Sequence, residues 1–309
     1  MSYLINHNNN SFSNSFEISG SKSESNRLLI LNSIYGNLKI DNLSNSDDTV
    51  ILDKYITNLE SHIDVHHAGT AMRFLTALLA IKTNKKFVIT GSKRMKERPI
   101  KILVQALNKL GANISYFDKK GFPPLIIKGQ EIFGGEISLS SNISSQYISA
   151  LMLIAPILKN GLLINLEGKI TSKPYLEMTL AILKKIGINC YFKNNIISIE
   201  HCSKINNSAI SIESDWSSVS YFYSIVALSN AAELNIGTFY KSSIQGDVKL
   251  YEIYAKLGVE TKFIKSSSRI LIKKINDFIN HRKCINSVKT CGTNRCNAFI
   301  EQCLLWEAS

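Results

Sequence analysis

Six short stretches of the sequence gather cations and hydroxyls in a way that could hold anions. Gly20-Ser21-Lys22-Ser23-Glu24-Ser25-Asn26-Arg27 places an ammonium and several hydroxyls where a helix is about to start. Backbone N–H groups at such a start suit an anion, although the same residues also make an ordinary capped helix. The nucleotide-binding pattern G-x-x-x-x-G-K-[ST] is absent. In His67-Ala68-Gly69-Thr70-Ala71-Met72-Arg73, Gly69 permits close backbone approach and Thr70 can cap a helix or bind a phosphate or carboxylate. Arg73 falls in the first turn, where the helix dipole disfavours a cation, so an anion is expected beside it. Arg94, Lys96 and Arg98 precede Pro99, which fits a helix start. They form either a solvated rim or a clamp for a carboxylate or phosphate, which guanidinium geometry favours. Ser144-Ser145-Gln146-Tyr147, Ser172-Lys173-Pro174-Tyr175 and Asp215-Trp216-Ser217-Ser218 also stand at expected helix starts.

The elements around these stretches can be read from hydrophobic spacing. Helices are expected over 25–34, 53–59, 70–80, 100–110, 144–158, 175–186 and 217–228, with Gly111 and Gly187 as stops after two of them. Strands are expected over 86–90, 123–127, 135–139, 162–166 and 196–199. The rhythm of helix, strand, helix and strand pair returns with a period of about 70 residues. It predicts an α/β or α+β class with helices packed on sheets. No Pro/Gly-rich linker marks a domain boundary.

At 309 residues the chain is expected to hold two domains. Hydrophobic residues at 45% exclude disorder as the main state. No apolar run approaches the roughly 18 residues of a membrane span, and the polar N-terminus lacks the apolar core of a secretory signal. A net charge of +12 favours anionic partners: nucleic acid, an acidic membrane or phosphorylated metabolites. The richness in Asn, Ile and Lys also fits AT-rich coding, so part of the charge need not be a binding surface. The six cysteines suggest reduced thiols. Cys284, Cys291, Cys296 and Cys303 form no C-x-x-C pair, so zinc is not expected. His62, His66 and His67, with Asp64 the only carboxylate nearby, read as a polar loop rather than a metal site.

Taken in order, the stretches resemble 5-enolpyruvylshikimate-3-phosphate synthases from about residue 18 to about 258. The resemblance rests on GSKSxSNR (20–27), SDDT (46–49), AGTAMRF (68–74), MKERPI (95–100), LGA (110–112), GFPPL (121–125), SSQY (144–147), SKPY (172–175), DWSSVSY (215–221) and GD (246–247). It implies a two-lobed enolpyruvyl-transferase fold of repeated small α/β units, like those of translation initiation factor C-terminal domains, with the active site in the cleft between lobes. The lobes implied are 21–214, carrying the shikimate 3-phosphate site, and 1–20 plus 215–309 as a partial second lobe.

The reaction implied joins phosphoenolpyruvate to the 5-hydroxyl of shikimate 3-phosphate, in the shikimate pathway. Lys22 would touch both substrates and assist proton transfer. Ser23, Arg27, Ser144, Ser145, Gln146, Ser172 and Tyr175 would hold shikimate 3-phosphate with it. Gly69, Thr70, Arg98 and Gln146 would hold phosphoenolpyruvate, while Arg73 is not assigned as a direct ligand. No cofactor or metal is implied. The resemblance further implies a cytoplasmic monomer without nucleic-acid or membrane partners. An enolpyruvyl transferase acting on a nucleotide sugar, an RNA-binding or RNA-cyclising protein on a related fold, and a remnant that only binds anions are the competing readings.

The sequence departs from the family pattern in three places. His66-His67 stands where Gly-Asn is common, and Phe74 where Pro is common. The third is the C-terminal part. The family should supply a Pro-Asp motif carrying the candidate base and a Lys-Glu-x-Asp-Arg segment. Instead the sequence runs CINSVKTCGTNRCNAFIEQCLLWEAS. That predicts an incomplete synthase with weak or no turnover, exposed apolar surface and poor order beyond about residue 275.

Overall fold

The computed structural model describes residues 11–170 and 172–275. The four C-terminal cysteines and the expected loss of order past residue 275 lie outside the described residues.

The chain opens with β1 (Ser11–Glu17) and continues through α1 (Lys22–Tyr35), β2 (Leu38–Asp41), α2 (Asp47–Thr57), β3 (His62–Asp64) and α3 (Gly69–Ala80). Next come β4 (Lys86–Thr90), the single turn α4 (Lys93–Lys96), α5 (Lys101–Lys109), β5 (Asn113–Tyr116) and β6 (Leu125–Lys128). A second run holds β7 (Gly135–Ser140), α6 (Ser145–Ile154), a 3-10 turn (Ala155–Ile157), β8 (Leu162–Glu167), α7 (Lys173–Lys185), β9 (Cys190–Lys193) and β10 (Ile196–Ile199). The last run holds β11 (Ser208–Ser211), α8 (Trp216–Leu228), β12 (Ala231–Gly237), a 3-10 turn (Gly246–Lys249), α9 (Leu250–Ala255), β13 (Val259–Ile264) and β14 (Arg269–Lys274).

One pairing pattern occurs three times. The sheets β3-β4-β6-β5, β7-β8-β10-β9 and β1-β12-β14-β13 each place their first two strands side by side, then the fourth, then the third. The first two are parallel, as in His62↔Val88, Gly135↔Leu162 and Ser11↔Ala231, and the last two form an antiparallel hairpin. Parallel neighbours need a crossover, which α3 and α6 provide in the first two sheets. The repeats that these sheets open begin at His62 and Gly135, close to the expected spacing. The α/β class is as the sequence predicted.

The chain divides into two compact units. The larger is Lys22–Ile212 and contains two of the repeats plus the parallel pair β2–β11 (Ser208↔Leu38). The smaller comprises the described residues up to Ser21 and from Glu213 onward, and holds one repeat. Its β1 and α8 are separated in sequence by the whole larger unit.

Burial explains which helices form the core of the larger unit. Every residue of α3 is buried, as is α6 from Tyr147 to Ile154, and both are apolar almost all round. The buried face of α1 is different: it runs Glu24, Ser25, Asn26, Arg27 and only then Leu28 to Leu31. Buried polar groups at a helix start need partners. Asn26 Oδ1 accepts from Thr49 of α2, Arg27 donates to Ser149 of α6 and Thr179 of α7, and Ser25 Oγ accepts from Ser44 N in the loop before α2. Two expectations are corrected here. Helix α2 begins at Asp47, not 53, because Ser46 sits at its N-cap position and Asp47 and Asp48 meet the dipole before the apolar pattern starts. Helix α6 stops at Ile154, not 158, because Pro156 lacks the N–H that would continue it, and a 3-10 turn follows.

The core of the smaller unit is aromatic. Trp216 is fully buried, with its ring 4.8 Å from that of Phe239. Tyr223 and Tyr254 pack beside the sheet residues Ile236, Val259, Ile270 and Ile272. The opposite side of α8 exposes Tyr221, Ile225 and Leu228, a second apolar stripe at helical spacing.

Candidate active site

The starts of four helices in the larger unit are joined by polar contacts. Lys22 is the first residue of α1, and its Nζ lies 3.8 Å from Asp48 Oδ2 in the first turn of α2. Asp48 Oδ1 accepts from the backbone N–H of Thr70, at 2.7 Å, and of Ala71, at 3.3 Å. Those are the opening N–H groups of α3, whose own N-cap residue, Ala68, has no side-chain acceptor. Thr70, read from the sequence as a cap or a ligand for phosphate or carboxylate, thus already gives its N–H to a carboxylate of the chain itself. The Thr70 hydroxyl is turned to α6 and accepts from Gln146 Nε2 at 3.3 Å. Ser144 is the N-cap of α6, its hydroxyl accepting from Gln146 N at 3.3 Å, and Ser145 is in the first turn.

Gly69 is needed for the approach of Arg98. A Cβ added at Gly69 would collide with the Arg98 guanidinium, which rests directly over the start of α3. Arg98 itself is exposed. Arg73 is not turned outward toward an anion. It is buried, and its Nη1 donates to the carbonyl of Gly69 at 2.8 Å and lies 3.6 Å from Met95 Sδ. Burial lowers its pKa, and the like charge of Arg98 adds to that, against the opposing pull of Tyr147 and Asp48.

Arg27 ties α1 to α6 and α7. Its Nε donates to Thr179 Oγ1 at 2.7 Å, Nη1 to the Ser23 carbonyl at 2.8 Å, and Nη2 to Ser149 Oγ at 3.0 Å and the Tyr175 carbonyl at 3.3 Å. Its guanidinium carbon stands 5.6 Å from the ring centroid of Phe74, so the residue that replaces the usual Pro stacks on this cation. Burial pulls the Arg27 pKa down to about 10, opposed by Tyr175 and Glu24. At neutral pH it is a charged, buried strut between three helices. Ser172 occupies the N-cap position of α7 without a side-chain cap bond, and Tyr175 lies in that helix's first turn, partly exposed.

Of the residues named from the sequence, Lys22, Gly69, Thr70, Arg98, Ser144 and Gln146 are linked at the starts of α1, α3 and α6. Arg27 joins the Ser23 and Tyr175 carbonyls, while Ser145 and Ser172 share only their positions at helix starts. Sequence reasoning did not assign Asp48, Ser149 or Thr179 to the site. Asp48 lay within a quoted motif, but its bond to a helix 22 residues away leaves no local signature.

The histidine string is only partly a loop. His62 and Asp64 belong to β3, paired with β4. His66 and His67 follow it, their Nδ1 atoms 2.6 Å apart, and His67 Nε2 is 2.9 Å from Asp47 Oδ2. Among the described residues no group of three or more His, Cys, Asp or Glu is placed to hold a metal ion. No described helix is long and apolar enough to cross a membrane.

The Asp215-Trp216 stretch belongs to the smaller unit and has a structural task there. Asp215 caps α8 by accepting from Ser218 N at 2.8 Å. The buried Glu213 accepts from Trp216 Nε1 at 2.8 Å, Tyr240 N at 2.7 Å, Gln245 Nε2 at 3.3 Å and the Ser243 hydroxyl. Burial raises its pKa, although these four donors pull it back.

The family model for EPSP synthase (3-phosphoshikimate 1-carboxyvinyltransferase) matches residues 51–283. The chain belongs to the EPSP synthase family. A 3-phosphoshikimate 1-carboxyvinyltransferase of Bacteroides fragilis strain YCH46 is 44% identical over 255 residues, which are 82% of this chain and 62% of that protein. One from Buchnera aphidicola subsp. Cinara cedri is 37% identical over 287 residues, covering 83% of this chain and 65% of its own. An EPSP synthase from Acinetobacter baumannii has the same fold, with a TM-score of 0.68 at 20% identity over 86% of this chain and 65% of that one. The chain thus spans a little under two thirds of the length of these EPSP synthases.

Proposed function

We propose that the chain binds shikimate 3-phosphate in its larger unit and takes part in transfer of the enolpyruvyl group of phosphoenolpyruvate to the 5-hydroxyl. The observation that carries this reading is the linkage of Lys22, Asp48, Thr70 and Gln146 across the starts of four helices, with Arg98 over Gly69 beside it. Two substrates with several negative charges need cations and N–H or O–H donors held ready, and a prearranged set stabilises charge without reorganising. Ser23, Ser144, Ser145, Ser172 and Tyr175 supply hydroxyls for the 3-phosphate. Arg27 anchors α1 against α6 and α7. Gly69, Thr70 and Arg98 face the enol donor, and Gln146 bridges the two.

In the reaction the enol CH2 takes a proton, with Lys22 assisting. The adjacent carbon becomes electrophilic and the 5-hydroxyl attacks it as a base removes the hydroxyl proton. Loss of phosphate from the adduct, together with removal of one proton from the methyl group formed in the first step, regenerates the double bond. The same reading makes the protein a cytoplasmic monomer.

Calorimetry tests the binding half: titration with shikimate 3-phosphate is expected to give heat that weakens with added salt, while a nucleotide sugar gives none. Absence of heat at millimolar shikimate 3-phosphate refutes the site. Phosphate release from phosphoenolpyruvate and shikimate 3-phosphate tests the chemical half.

A further inference from the structure

We infer that Asp48 is a positioning residue of this site, its carboxylate tying the Lys22 ammonium to the first turn of α3. The inference rests on the functional reading above. Asp48 stands in the first turn of α2, where an acidic residue ordinarily answers its own helix dipole. Asp47 already does so from an exposed position. The Asp48 side chain is only 18% exposed and is aimed at other elements. One oxygen accepts from Thr70 N and Ala71 N, and the other faces Lys22.

The two oxygens have different tasks. Oδ1 caps α3 from outside, a task that Ala68 cannot perform from within the chain. Oδ2 lies 3.8 Å from Lys22 Nζ, too far for a hydrogen bond. It therefore attracts the ammonium without taking one of its N–H donors. A lysine has a long flexible stem with many rotamers, and its charge is useful to a reaction only where it is held. Fixing the carboxylate through α3 fixes where that charge is held. The same α3 start carries Gly69 under Arg98 and Thr70 against Gln146, so Asp48 sets Lys22 in register with both.

A double-mutant cycle on the full chain tests this. Asp48→Asn keeps the shape and one acceptor but removes the charge. It is expected to weaken shikimate 3-phosphate binding about fivefold, the scale of one partly exposed ion pair. Lys22→Met is expected to weaken it more, and the double variant no further than Lys22→Met alone. An equal loss from Asp48→Asn in both backgrounds would make Asp48 a helix cap and nothing else, and would overturn the inference, as would no loss at all. A second measurement needs no ligand. In NMR spectra of the free chain the two Lys22 Hε protons should be distinct and should merge in Asp48→Asn. If they stay distinct the inference fails, whether or not the chain binds shikimate 3-phosphate; failure of wild-type binding alone refutes the functional reading.

Discussion

Replacing Arg27 by methionine asks whether a buried cation here holds the fold together or is tolerated for the ligand's sake. Methionine fills similar space without charge or donors. Keeping the guanidinium charged while buried costs about 3 kcal/mol, from a pKa drawn from 12.5 to about 10. Against that stand four hydrogen bonds from a charged donor, worth about 1.5–3 kcal/mol each. The low end applies, because two acceptors can satisfy each other when Arg27 is gone. Thr179 Oγ1 lies 3.2 Å from Ser149 Oγ and already donates to the Tyr175 carbonyl at 2.8 Å. The gross gain is then about 6 kcal/mol and the net about 3 kcal/mol in favour of arginine. Arg27→Met should lower the urea midpoint of the full chain, followed by far-UV circular dichroism, by about 1 M or more. Shikimate 3-phosphate binding should fall with it as α1 loses its tie to α7. An unchanged or raised midpoint would refute the reasoning: desolvation would then outweigh the hydrogen bonds, as it does in some buried ion pairs.

Three further outcomes are expected. Gly69→Ala should fold, since the atoms in the way are the end of a flexible arginine, but it should displace Arg98 and weaken phosphoenolpyruvate binding about tenfold or more while sparing shikimate 3-phosphate; equal loss for both ligands in paired titrations would refute it. Lys22→Ala should keep the wild-type circular dichroism and lose any measurable turnover by several orders of magnitude, and near-normal phosphate release would remove Lys22 from the chemistry. Glu213 has a raised folded pKa, so it favours the folded state most when protonated, below its unfolded value of 4.5, and that contribution is lost as pH rises through the folded pKa. The stability of wild type relative to Glu213→Gln should therefore increase as pH falls from 7 toward 4.5, which tryptophan-monitored urea unfolding at several pH values will measure; a flat difference would refute the shift.

The sequence was most legible where local rules suffice. Strands β4 and β10 and the helices around 70–80 and 217–228 are dense apolar runs whose length and flanking residues set their type. Strand β1, Ser-Phe-Ser-Asn-Ser-Phe-Glu, has little apolar content and becomes a strand only because β12 pairs with it. Strands β2, β3 and β11 are three or four residues long with one or two apolar residues each, too little to mark a strand. The helix starts that carry the candidate residues were legible, because Ser, Gly and Pro there follow capping and first-turn rules. What binds them to one another was not, because a carboxylate reaching from α2 to α3 and an arginine reaching from α1 to Thr179 are long-range contacts. Arg73 misled for a related reason: a cation early in a helix can be satisfied by the helix's own first carbonyl, Gly69.

The split of the smaller unit around Lys22–Ile212 also fixes an order of assembly during synthesis. Ser11 must wait for Ala231, and at about 5–20 residues per second the ribosome takes roughly 10–40 s to deliver it. Every strand of Lys22–Ile212 finds its partner inside that span, so the inserted unit has all its pairings available before β12 exists. A nascent strand left open that long is an aggregation hazard if it is apolar. With its serines, Asn14 and Glu17 exposed and only Phe12 and Phe16 turned inward, β1 is composed to survive the delay. A nascent chain paused after Ile212 would carry a finished inserted unit and a solvated N-terminal strand still waiting for its place in a sheet.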